Sequence, residues 1–278
     1  MKYVPREIVD EVNVTPVHPL VNFGYLVGTV VLATLAIYVG LGVVGAQLAT
    51  RMGPEAEGKI GNVIFENVFS SMSLTTEGTD YEYLETLADS LKSDALKQRP
   101  DLKLHILEES APNAMVSAGG YIYVTQGLLD NVESENELAF VLAHELGHYE
   151  HRDNLSSIGR SLVLLSLNSA LSASGVRLPS FLTGSMGLAN LHYSRDQEQK
   201  ADVYALEIMN ARYGHVDHTL DFFKRLNEDE LDLGIADQLL EWQSTHPLTE
   251  SRIEYLEDLA TSRGWAIEGA PTELPNRQ

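Results

Sequence analysis

The apolar pattern of the chain begins with one long run. Leu20 to Ala49 is an almost unbroken series of Val, Leu, Ile, Ala and Gly, and His18 is the only Asp, Glu, Lys, Arg or His between Val12 and Thr50. A membrane span needs roughly 20 such residues, so this stretch is long enough to cross with some tilt. Glu7, Asp10 and Glu11 precede it, and Gln47-Leu48-Ala49 is a poor small-x-small cleavage site. It therefore reads as a retained transmembrane anchor over residues 20–50, behind an N-terminal tail of residues 1–19, and not as a cleaved signal peptide.

Past residue 50 the pattern turns to short amphipathic segments. Met52 to Gly58 reads as a linker, and Ile60, Val63, Ile64, Val68 and Phe69 recur at helical intervals. Leu84, Leu87, Ala88, Leu91 and Ala95 form one stripe of a helix over residues 80–98, closed by Arg99-Pro100. Leu102, Leu104 and Ile106 alternate with polar neighbours as a half-buried strand does, and residues 113–125 read as two strands turning at Gly119-Gly120. Ser134-Glu-Asn-Glu137 has the form of a capping box, opening a helix that runs through His151. Residues 160–194 carry no charge between Arg160, Arg177 and Arg195, and read as a helix followed by an irregular stretch over the neighbouring site, with contact to the bilayer surface open. Further helices are expected over 195–213, ended by Gly214, over 217–226, and from Pro247 to Gly264; residues 228–237 read as an acidic loop and 265–278 as a loose C-terminal tail. The sum is an α+β, mostly helical domain over residues 51–264 with a small β-sheet, carried on one N-terminal transmembrane helix.

Charge narrows the partners. The net charge is −21, of which residues 1–50 contribute −1. Nucleic acid and anionic lipid are poor partners for the large domain; the lipid bilayer is met through residues 20–50. Lys2 and Arg6 before the span balance Arg51 and Lys59 after it, so orientation rests on the ease of leaving a short tail in the cytoplasm. That favours an extracytoplasmic domain on a single-pass protein of the inner or cytoplasmic membrane. Gly24 and Gly28 form a G-x-x-x-G pair that would admit a second copy of the span, making a homo-oligomer possible. With no cysteine, any metal must be held by His, Asp or Glu.

Chemistry concentrates in His144-Glu145-Leu146-Gly147-His148. On a helix the two histidines lie one turn apart on one face and can share a metal ion, with Glu145 over the open position as a base. Gly147 would let another segment approach closely. The H-E-x-x-H-x-x-G-x-x-H arrangement is excluded, because His151 and Asn154 occupy its Gly and last His positions. A third ligand must come from a different helix, with His192, Glu198, Asp202, Glu207, His215 and His218 as candidates. Glu198 is the best placed, near the start of a helix with Asp202 one turn on; Asp202 would accept the second N–H of a liganding histidine. The alternative is that both are surface carboxylates of an acidic chain. His246 could stabilise an oxyanion, Arg252 could pair with Asp202, and the strand Asn113, Ala114, Met115, Val116 could hold a peptide as an added strand.

Val141-Leu-Ala-His-Glu-Leu-Gly-His148, Tyr193-Ser-Arg-Asp-Gln-Glu-Gln-Lys-Ala-Asp202 and Thr245-His-Pro-Leu-Thr-Glu-Ser-Arg-Ile253, with Asn113-Ala114 ahead of Gly119-Gly120, occur in this order. Together they resemble the HtpX and CAAX-prenyl-protease type of zinc metallopeptidase, whose mitochondrial relatives include the Oma type, over roughly residues 80–262. The resemblance implies a gluzincin domain with one Zn2+ per chain on His144, His148 and Glu198. It makes Glu145 the base, Asp202 the partner of a ligand, and His246 an aid to the transition state. The single span departs from the multi-span members. The expectation is a membrane-anchored zinc metalloendopeptidase that cuts polypeptides, misfolded or membrane proteins among them, in membrane or envelope quality control. The alternative is a zinc-stabilised holdase or adaptor that binds such proteins without cleavage.

Overall fold

The computed structural model describes residues 18–161, 193–229, 246 and 249–275. The expectations for residues 1–17, for most of the 160–194 stretch with His192, and for the acidic loop over 230–237 lie outside them.

Helix α1, Pro19–Ala49, covers the apolar run. The chain divides into two units, Met1–Leu41 and Gly42–Gln278. The last turns of α1 thus belong to the larger unit, and the boundary expected at residue 50 moves inward. The cause is packing: Ala49 is buried, and a methyl group on Gly159 would lie 2.4 Å from the Gly45 carbonyl oxygen and 2.5 Å from Ala49 Cβ. The expected linker is likewise corrected. Helix α2, Pro54–Ile64, starts inside it, because Pro54 suits the first helical position and Glu55 and Glu57 suit the positive end of the helix dipole.

A short strand β1, Leu74–Thr75, leads to α3, Thr79–Ser90. The helix expected to reach residue 98 stops here, and Leu96–Gln98 is only a 3-10 turn. Ser93 explains the break, since its hydroxyl accepts the Leu96 N–H (3.1 Å) while its own N–H goes to the Tyr204 hydroxyl (3.1 Å). Strands β2 (Lys103–Leu107), β3 (Ala114–Val116) and β4 (Tyr121–Thr125) complete a sheet of order β1-β2-β4-β3. β3 and β4 form the expected antiparallel hairpin, turned at Gly119 and Gly120, both with positive φ. β2 pairs with β4 in parallel, a pairing no local pattern announced.

β4 is buried along its whole length. Ile122 and Val124 join Leu104 and Ile106 against the main core, while Tyr121 and Tyr123 face the second cluster, where Phe69 stacks on Tyr123 at 3.8 Å. A strand covered on both faces cannot alternate apolar with polar.

Helices α4 (Gln126–Asn131) and α5 (Glu135–Glu150) follow, then a helical segment over residues 153–161. After it come α6 (Arg195–Tyr213), α7 (Asp221–Asp229) and α8 (Glu250–Ser262). Every residue of α5 from Glu135 to Tyr149 is buried, so α5 is the central strut of the domain. The tail expected to be loose is held through residue 275 where it is described. Ala266 accepts the Val216 N–H (2.8 Å), Thr272 accepts the Glu135 N–H (2.9 Å) and donates to Asn136 Oδ1 (2.8 Å), and Leu274 packs on the core. Its scarcity of apolar residues concealed this, because backbone hydrogen bonds do most of the holding.

Candidate active site

The site forms where α5 and α6 cross. Ser134 caps α5 by accepting the Glu137 N–H (3.3 Å), but the reciprocal half of the expected capping box is absent. Glu137 instead takes the Glu133 N–H (2.7 Å) and pairs with Arg225 (2.6 Å). The full box is at α6: Ser194 and Gln197 bond each other's backbone N–H groups, which fixes the start of the helix three residues before Glu198. Gly147 permits the crossing, for a Cβ there would meet Ala201 Cα at 3.0 Å.

His144 and His148 lie one turn apart with their Nε2 atoms 3.1 Å from each other. Glu198 reaches both, with its carboxylate oxygens 3.5 Å from His144 Nε2 and 3.4 Å from His148 Nε2. Two atoms bound at 2.0–2.1 Å in a tetrahedron lie about 3.3 Å apart, and the Nε2–Nε2 separation and the two Nε2–carboxylate separations, one to each Glu198 oxygen, are all close to that length. His246 Nδ1 joins it at 3.2 Å from His144 Nε2 and 3.1 Å from Glu198 Oε1, and the four buried residues form one potential metal cluster. His246 would thus be a fourth side chain within reach of a metal held by the other three.

Each of the two helical histidines has its other nitrogen on a carboxylate. His144 Nδ1 meets Asp202 at 3.0 Å, and His148 Nδ1 meets Asp153 at 3.0 Å. Such partners fix the tautomer and aim the ring. Asp202 is held by Arg252, whose Nε and Nη2 each bond it at 2.8 Å and whose Nη2 also meets Glu198 at 2.9 Å. Gln197 holds the other oxygen of Asp153 (2.8 Å), and Tyr193 stacks on His148 at 3.8 Å.

Glu145 is fully buried beside this group, with one oxygen 3.3 Å from His246 Nε2 and the other accepting the Val116 N–H at 3.0 Å. Burial pushes its carboxyl above the usual range against the pull of His246 and His144. Burial likewise lowers His246. For His144 burial pulls down, yet Asp202 and Glu198 outweigh it and raise the imidazole. Burial would raise Asp202, but His144 and Arg252 keep it low.

The expected substrate strand is an edge of the sheet among the described residues. The Ser117 N–H bonds the Tyr121 carbonyl (2.7 Å) and the Thr125 N–H bonds the Asn113 carbonyl (2.9 Å). By antiparallel alternation the backbone groups of Ala114 and Val116 point away from β4, the Val116 N–H onto Glu145, while those of Met115 point toward β4. Asn113 is buried, with Oδ1 unpartnered among the described residues.

Three other ligand candidates are placed elsewhere. Glu207 pairs with Arg263, the His215 ring lies against Gly269, and His218 Nδ1 bonds Asp221 at 2.8 Å. Asp153, Gln197 and Tyr193 were not singled out in the sequence. Asking what holds the second nitrogen of His148 would have pointed to Asp153.

The description of peptidase family M48 matches residues 80–260. The chain is similar to mitochondrial metalloendopeptidase OMA1 of Schizosaccharomyces pombe, 32% identical over 170 residues that cover 59% of this chain and 49% of that protein. It is also similar to metalloprotease YcaL of Escherichia coli, 30% identical over 155 residues, 54% of this chain and 59% of that protein. A third relative is a putative beta-barrel assembly-enhancing protease of Vibrio cholerae, 25% identical over 186 residues, 62% of this chain and 37% of that protein. The chain thus spans about half the length of the curated relatives it matches. A family description covering more than half of the chain, on a mostly helical domain with a small sheet and a buried His-Glu cluster, makes this protein a member of peptidase family M48.

Proposed function

We propose that this protein is a membrane-anchored zinc endopeptidase acting on misfolded or membrane-embedded polypeptides. The observation that carries the reading is the triangle of His144, His148 and Glu198 donors, 3.1–3.5 Å apart, with Glu145 beside it. A cysteine-free set of two imidazoles and one carboxylate is the donor chemistry of a catalytic zinc. Bound zinc supplies a Lewis acid that polarises the scissile carbonyl and eases deprotonation of water.

The chain's residues do the rest. Glu145, with its raised carboxyl pKa, takes the proton of the attacking water and gives it to the departing amine. The outward N–H and carbonyl of Ala114 and the Val116 carbonyl hold the peptide extended along β3, while the Val116 N–H stays on Glu145. His246, with Nε2 3.3 Å from Glu145, is the histidine that would face the developing oxyanion. A cleft of about 600 Å3 opens at Glu198 between Tyr193, Arg195, Gln199 and Tyr255, with room for a substrate side chain.

Anchoring rests on α1, whose 31 residues contain an 18-residue window of mean hydropathy 2.3 and suit a membrane crossing. Lys2 and Arg6 before the helix and Arg51 and Lys59 after it tie, so charge does not choose the side on which the domain lies. The relatives' names, a mitochondrial metalloendopeptidase and a beta-barrel assembly-enhancing protease, support a setting in membrane protein quality control.

The test uses the full chain in detergent, loaded with zinc and given casein or a denatured membrane protein. Cleavage is expected to vanish with a chelator, return with zinc, and be absent in Glu145→Gln, which still binds metal. A wild type that captures substrate as Glu145→Gln does and cuts nothing would establish the holdase alternative instead.

A further inference from the structure

We infer that Arg152 is a positioning residue for the metal site: from the end of α1, its guanidinium holds the turn that aims Asp153 at His148. The inference rests on the metallopeptidase reading and adds a part to it.

Three observations meet here. Arg152 is one of two non-glycine residues with positive φ among the described residues, at 59°. Its Nη1 donates to the Thr50 carbonyl at 3.0 Å and to the Met52 carbonyl at 2.7 Å, both just past the end of α1. The next residue, Asp153, is 6% exposed and binds His148 Nδ1 with one oxygen and Gln197 with the other.

The physical consequence follows from the backbone. An L-residue leaves the left-handed region unless something holds it, because its Cβ crowds the neighbouring carbonyl. Two hydrogen bonds from a charged donor to carbonyls that no helix turn satisfies provide that hold. Were Arg152 to relax, the peptide leading into Asp153 would rotate. The carboxylate would then leave the His148 nitrogen, and the ring would lose its orientation toward the metal.

A second attachment keeps the far side in place. Gly159 lies against Gly45 and Ala49, and Leu155 and Ile158 share a buried cluster with Ala49. Asp153 therefore sits between two points fixed on residues 45–52. The metal site and the end of α1 form one construction, in which Gln197 extends the same carboxylate's hold to the start of the helix bearing Glu198.

The test separates the turn from general stability. Full-length Arg152→Ala, Arg152→Gly and Asp153→Asn are titrated with zinc against a chromophoric chelator. Unfolding of each metal-free variant is measured alongside. Alanine loses the hold and keeps the steric cost, whereas glycine adopts positive φ freely. Arg152→Ala is expected to bind zinc at least tenfold more weakly than wild type, close to Asp153→Asn, and at least threefold more weakly than Arg152→Gly. Arg152→Ala within threefold of Arg152→Gly overturns the inference, even if both melt early. Should Arg152→Ala not fold, Arg152→Gln carries the same comparison. A wild-type chain that binds no zinc would instead refute the metallopeptidase reading.

Discussion

Gly147→Ala tests whether the α5–α6 crossing sets the metal site. The added methyl would stand 3.0 Å from Ala201 Cα, 3.2 Å from Ala201 O and 3.2 Å from the Tyr204 ring. Carbon atoms rest about 3.5–4.0 Å apart, so the helices must separate by roughly 0.5 Å or more. Two of the three neighbours are backbone atoms, which cannot step aside as a flexible side chain can. Overpacking of this kind costs about 1–3 kcal/mol. Replacing a mid-helix glycine by alanine returns about 1 kcal/mol. The metal-free variant is therefore expected to lie between wild-type stability and a loss of about 2 kcal/mol.

Metal binding is expected to suffer more. His144 and His148 ride on α5 and Glu198 on α6, with donor distances of 3.4 and 3.5 Å across the crossing. Sites hold their bond lengths to about 0.2 Å, so a shift of half an ångström exceeds what they tolerate. Zinc affinity is expected to fall at least tenfold, read by chelator competition, while urea unfolding of the metal-free chain reports stability. Gly58→Ala is the control: it also lies in a helix, but a Cβ there meets nothing within 4 Å. It should gain up to about 1 kcal/mol and leave zinc binding alone. A Gly147→Ala chain as stabilised as the control and with wild-type zinc affinity would refute the argument.

Other perturbations reach different parts of the same framework. Asp202→Asn should weaken zinc binding by about 10–100-fold, seen in the same titration, because His144 loses its carboxylate and Arg252 its principal partner. Arg99→Ala strands the buried carboxylate of Glu57, which it holds through Nη2 at 2.7 and 2.9 Å, and should cost about 3–5 kcal/mol in urea unfolding. Arg99→Met with Glu57→Gln should recover much of that loss. Burial alone would raise Glu135, but Arg212, Tyr213 and Tyr83 outweigh it and hold its carboxyl low. A depressed carboxylate stabilises the fold above its unfolded pKa of about 4.3 and loses that contribution as pH falls through the folded value. Urea midpoints should therefore drop below about pH 4. Glu135→Gln should be less stable at neutral pH and show a shallower acid drop; an unchanged slope would count against the assignment.

How far the sequence could be read depended on the range of each determinant. His144 and His148 were legible because helical spacing alone puts them on one face, and Glu198 with Asp202 because the same rule works on α6. The hairpin pairing of Ala114 to Val116 with β4 followed from a local turn at Gly119-Gly120. What stayed hidden was set by contacts far along the chain. The parallel β2–β4 pairing joins segments with a hairpin arm between them, and the five buried residues of β4 erase the alternation that would have marked its faces. Asp153 lies past the break of α5 at a left-handed arginine, where helical spacing no longer applies. The hold on that arginine comes from carbonyls of Thr50 and Met52, about a hundred residues earlier, and carbonyls carry no sequence signal at all. The clustered donors of this site could be read from side-chain type and period, whereas the residues that aim them depend on backbone geometry. Substitutions that spare every ligand, such as those at Gly147 and Arg152, therefore probe the part of the design that motif reading cannot reach.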